Sequence, residues 1–205
     1  CANCPVPPPS TAIMWEGNRW GTFDPAHWKP HANGSLAFTP GTGSGNNGEM
    51  VLEQLGWQAL QGNISATLIF PTTSSDPSAC AGFLVGGLEG SFHPGANSYF
   101  AWEVSLSPRG FLRLGFHDNN FKVLKQVQAS VPVETPILLT VAVQSSATGV
   151  QFVASVNGAV LLSFSDNSHA PGPGVALRSY DIAVTYSDFR INGTAPERGL
   201  ASRHK

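Results

Sequence analysis

Residues 97–118 read NSYFAWEVSLSPRGFLRLGFHD. Apolar and polar side chains alternate on both sides of a central Ser-Pro-Arg-Gly. Successive side chains of a strand point to opposite faces, so this alternation marks two half-buried strands joined by a turn, a β-hairpin. With the loop placed at Ser107–Arg109, Phe100 falls opposite Phe116, Trp102 opposite Leu114 and Val104 opposite Leu112. These residues are all apolar and define a core face. The same register sets Tyr99 against His117, Ala101 against Gly115 and Glu103 against Arg113. A one-residue slip would move every side chain to the wrong face.

The second face thus collects a phenol, a carboxylate, a guanidinium and an imidazole around two small residues. Arg and Glu offer paired donors and acceptors to sugar hydroxyls, and a sugar ring packs on an aromatic. The same residues also fit an ordinary solvated sheet face, where a cross-strand Glu–Arg pair contributes only about 0.2–1 kcal/mol.

Outward from the hairpin, strand signals recur at Ser35–Phe38, Met50–Glu53, Asn63–Phe70, Ala81–Val85, Tyr99–Leu106, Phe111–His117, Phe121–Gln128, Ile137–Val143, Val150–Val156, Ala159–Phe164, Val175–Tyr180 and Val184–Ile191. Asn157-Gly158 separates two apolar runs, and both residues tolerate the positive φ of a tight hairpin turn. The one stretch with helical spacing, GEMVLEQLGWQAL, is cut by Gly56. The 205 residues include 22 Gly and 16 Pro, which favours turns over long helices. Short strands with frequent turns predict an all-β, two-sheet antiparallel sandwich of the jelly-roll kind over residues 11–192, flanked by an extended arm at 1–10 and a polar tail at 193–205. A net charge of −2 removes the case for a nucleic-acid binder, and no apolar run reaches the ~20 residues of a membrane span. No signal peptide is visible, so a secreted protein would be in its mature form.

There are 3 cysteines: Cys1, Cys4 and Cys80. One reading joins the arm to Cys80, from Cys4 or from Cys1, and leaves a spare thiol. The Cys1–Cys4 pair lacks a second cluster with which to hold a metal. The spare cysteine could instead pair with another chain, or a terminal Cys1 could carry a lipid. Asn33, Asn63 and Asn192 head Asn-x-Ser/Thr sequons. Low charge, an arm disulfide and sequons together point to a secreted or cell-surface glycoprotein.

The strings AGFLVGG, NSYFAWEVSL, GFLRLGFHDNNFKVLKQ, TPILLTVAVQSSATGVQFVASVNGAVLLSFSDNS and GPGVALRSYDIAVTYSDFRI, within about residues 28–192, resemble the concanavalin A-like lectin/glucanase superfamily. The likeness is greatest to carbohydrate-binding modules of the fructan-binding family 66 type and to the lectin-like domain of galactocerebrosidase. The resemblance implies a jelly roll that takes a glycan on its concave sheet or the adjoining loops. Carried over, this suggests Tyr99, Glu103 and Arg113, with His117 and Asp118 nearby, as ligand residues. The loop EGSFHPGANS, with His93, would shape the cleft. Where the family's arginine follows the GFLVGG strand, this chain has Gly87 and Leu88, so specificity does not transfer. Some relatives hold a structural calcium, for which the resemblance suggests Glu49 and Asp188. An alternative role for Asp188 is to anchor a turn.

Glycanases of this fold often carry E-x-D-x-E on one strand, so that two carboxylates share a face. Glu103 instead has Ala101 and Ser105 as its same-face neighbours, and no G-x-S-x-G is present. A non-catalytic carbohydrate-binding protein is the expectation, with a glycan as partner and no cofactor beyond that calcium. An extracellular coat, fibre or adhesion component, pairing with copies of itself or other proteins through edge strands, is the alternative. Trp15, Trp20, Trp28 and Trp57 fit core or end cover better than a second platform.

Overall fold

The computed structural model describes residues 11–22, 25–42, 47–52, 61–87, 100–118, 120–146, 149–169, 172 and 174–193. Its strands are β1 (Thr11–Trp15), β2 (Asn18–Thr22), β3 (Trp28–Pro30), β4 (Leu36–Phe38), β5 (Asn47–Leu52), β6 (Gly62–Ile69), β7 (Cys80–Gly87), β8 (Phe100–Ser107), β9 (Phe111–Asp118), β10 (Phe121–Gln128), β11 (Ile137–Ser146), β12 (Gly149–Val156), β13 (Ala159–Asp166), β14 (Gly174–Tyr180) and β15 (Val184–Gly193). They form two antiparallel sheets. An eight-stranded sheet runs β1-β2-β5-β14-β7-β8-β9-β10, and a seven-stranded sheet runs β13-β12-β11-β6-β15-β4-β3. The expected all-β jelly-roll sandwich is observed.

The core lies between the sheets and follows the predicted alternation. Phe83, Val85, Trp102, Val104, Leu112 and Leu114 face Ile64, Leu68, Leu139, Val141 and Phe152, all buried. Gly48 is a glycine because Phe38 needs the room: a Cβ there would stand 2.1 Å from the Phe38 ring. Tyr186 crosses the core from β15 and donates its hydroxyl to the Arg178 carbonyl at 2.6 Å, tying the sheets together.

The Asn157-Gly158 turn forms as read, with φ of 50° and 81° and Val156 paired to Ala159. Each strand read from the sequence overlaps an observed one. The strands β1, β2 and β3 were not anticipated. The first two make a hairpin whose turn, Glu16-Gly17, has positive φ at both residues. The tryptophans of this region are core: Trp15, Trp20 and Trp28 are buried, and Trp20 Nε1 donates to the Trp15 carbonyl at 3.1 Å. Trp57 lies outside the described residues.

The β8–β9 register differs from the one read in the sequence. Ser107 pairs with Phe111, so the loop is Pro108-Arg109-Gly110 and not Ser107–Arg109. Gly110, at φ 89°, donates its N–H to the Ser107 carbonyl at 2.9 Å. A three-residue loop that ends on a left-handed glycine is a favoured hairpin closure, and it moves each partner by two positions. Trp102 now faces Phe116, Glu103 faces Gly115, and Arg113 faces Ser105. A shift of two preserves the faces, so the division into core and outward sets stands while the expected pairs do not.

Candidate functional site

The outward face of the eight-stranded sheet is built in rows. One row runs Glu49, Arg178, Gly82, Ser105, Arg113, Gln126, and the next runs Val51, Ala176, Leu84, Glu103, Gly115, Val123. Glu103, 1% exposed, is the centre of a buried polar network. Its Oε1 accepts from Ser105 Oγ at 2.6 Å and from the Cys80 thiol at 3.3 Å. Its Oε2 lies 2.6 Å from Arg178 Nε and 2.9 Å from His117 Nε2, which must donate because a carboxylate can only accept. Burial alone would raise this carboxyl, but the Arg178 charge, the His117 contact and the Ser105 hydrogen bond outweigh it and hold Glu103 down to about 2.

Arg113 is not Glu103's partner. Its Nε donates to Gln126 Oε1 at 2.9 Å, and its terminal nitrogen donates to the Pro77 carbonyl in the loop before β7. The structure thus brings Glu103 and His117 together, keeps Arg113 one row away, and supplies Arg178 from β14. The network members Arg178, Ser105 and Cys80 had not been picked out as site residues. A signal existed in the first case: Arg178 is the lone charge in the apolar string VALRSY, at the outward parity of that strand.

Cys80 is a free, buried thiol rather than half of the expected bridge with Cys4 or Cys1. Its sulfur is turned into the network, and burial followed by the Glu103 charge pushes its ionisation up. Cys1 and Cys4 lie outside the described residues, as do Tyr99 and His93.

The gap expected at Ala101 and Gly115 is filled. Ala101 packs with Leu84 and Ala176. Phe121 lays its ring over Gly115, where a Cβ would come within 2.2 Å of it, and over His117, with ring centroids 4.7 Å apart. Phe121 remains 40% exposed, and Asp118, the residue after His117, is exposed at the end of β9. This rim carries the accessible chemistry of the predicted face.

Glu49 and Asp188 lie in opposite sheets, on β5 and β15. Asp188 is exposed at a bulge of β15, with φ 52°, and accepts from Ser187 Oγ at 3.1 Å. Among the described residues no group of three or more His, Cys, Asp or Glu is placed to hold a metal. The side chains of Asn33, Asn63 and Asn192 are exposed.

This layered arrangement matches known structures over nearly its whole length. The chain has the concanavalin A-like jelly-roll fold. It is similar to a family 66 carbohydrate-binding module from Bacillus subtilis, with a TM-score of 0.62 and 10% identity over 88% of this chain and 98% of that one. A Bacillus licheniformis β-glucanase matches at 0.60 and 8% identity, over 89% and 96% of the two chains. A Lotus tetragonolobus seed lectin matches at 0.52 and 12%, over 90% and 100%. No family model and no curated protein matches the sequence. The fold is therefore one that binding modules, lectins and glucanases share, and function has to be argued from this chain's own site.

Proposed function

We propose that this is a secreted protein that binds carbohydrate without cleaving it, at the rim of the eight-stranded sheet formed by Phe121, His117 and Asp118. The observation that carries the reading is the half-exposed Phe121 ring, seated on Gly115 and the His117 imidazole, with the exposed Asp118 next to His117 in the chain. An aromatic face next to hydrogen-bonding groups is the arrangement a sugar ring requires. The Glu103 network supports it from below by fixing His117. Fold likeness to carbohydrate-binding modules and lectins is consistent with this role.

Catalysis by Glu103 is a poor fit. A glycosidase acid must be protonated near neutral pH and open to substrate. This carboxyl is held as a buried anion, and its oxygens are engaged by Ser105, Cys80, Arg178 and His117. The test is a glycan array of the wild type beside a Phe121→Ala/Asp118→Ala variant, with and without calcium. Binding that the folded variant loses supports the rim. Binding that the variant retains in full moves recognition elsewhere. No binding by the wild type at high concentration ends the lectin reading.

A further inference from the structure

The other broad face of the molecule, the outward side of the seven-stranded sheet, carries an open groove of about 670 Å³. Among the described residues four side-chain amides line it, Gln61, Asn63, Gln144 and Asn192, over a floor at Ala142. The register explains the cluster. Ala142, Asn63 and Asn192 stand in one row across β11, β6 and β15. Gln144 lies two residues further along β11 and Gln61 two residues back from Asn63, so the amides share the outward face. Gln61 Nε2 donates to the Ser145 carbonyl at 3.0 Å, which fixes that amide in place.

An amide presents two donors and an acceptor without charge. Among the described residues no charged side chain lines this groove, so they offer no counter-charge to an anion or a cation. Neighbouring strands are ~5 Å apart, and alternate residues along a strand are ~7 Å apart, the scale over which a hexose displays its hydroxyls. The small Ala142 lets a ring descend between the amides.

We infer that this groove is a second carbohydrate site, which takes a neutral glycan read by its hydroxyls. It shares no residue with the Phe121 rim and stands or falls separately from it. Because Asn63 and Asn192 head sequons, the test uses chain produced in a bacterial host that attaches no glycan.

Isotope-labelled protein is titrated with neutral gluco-, manno- and fructo-oligosaccharides, and with an acidic oligogalacturonate as control. The side-chain NH₂ signals of the four residues are followed by NMR. The expected result is that these signals shift saturably with at least one neutral probe and not with the acidic one. A Gln144→Ala/Asn192→Ala variant should then bind at least about tenfold more weakly, while Phe121→Ala leaves the titration unchanged. Signals that stay still with every probe at millimolar concentration overturn the inference. So do shifts that survive in the double variant, that vanish in Phe121→Ala, or that follow the acidic probe equally.

Discussion

Glu103 is the residue around which the outward face is organised, and its charged partner is the sequence-distant Arg178 rather than the nearby Arg113. Replacing it by Gln keeps the shape but leaves the Arg178 charge buried without a counter-ion, a change that typically costs about 3–5 kcal/mol. Because Glu103 is held at about 2 against 4.5 for a free glutamate, its contribution is complete above about pH 4.5 and fades as pH falls towards 2. Urea denaturation of wild type and Glu103→Gln should therefore show the largest gap at neutral pH and a shrinking one through that window. A gap independent of pH would contradict the assignment. The sequence revealed the face on which Glu103 lies, since alternation is local. It could not reveal the partner, because Arg178 reaches Glu103 only through the strand order β8-β7-β14, and that order is a property of the whole sheet.

At the scale of the element, the β8–β9 hairpin shows how a correct face and an incorrect pairing coexist. The period-two pattern is blind to any even shift, and only the turn chemistry separates the alternatives. Gly110, with its left-handed backbone, is what selects the observed register. An alanine there would strain that conformation, and its Cβ would sit 3.2 Å from the Ala129 carbonyl. Gly110→Ala should lower stability by about 1–2 kcal/mol in urea while leaving the rest of the sheet's chemistry intact. No loss would mean that the turn does not set the register. The β1–β2 hairpin escaped the sequence reading for a related reason. Its turn uses Glu16 at φ 48°, a residue type that seldom announces such a turn, and its tryptophans gave no clean alternation.

For the whole molecule, the described edge strands bear on the alternative of an assembling coat or fibre protein. Edge strand β10 carries Lys122, Lys125 and a bulge between Val123 and Lys125. Lys125 reaches the Ser163 carbonyl of β13, the edge of the other sheet, at 2.9 Å. At the far edge of the seven-stranded sheet, β3 is three residues long and ends in Pro30. Lysines, bulges and proline are devices that discourage edge-to-edge pairing. They favour a protein that meets its partner across a face.

The position of Cys80 has a practical consequence. A thiol can be alkylated only as a thiolate in contact with reagent. Here burial and the neighbouring carboxylate deny it both conditions until the outward network of the eight-stranded sheet opens. Peptide-resolved alkylation of Cys80 should be slow in the native protein and should accelerate with urea in step with the loss of tryptophan fluorescence. Rapid labelling of native protein would show that the face opens on its own. The molecule thus carries an internal clock, a single sulfur atom whose rate of modification times how often that outward face comes open.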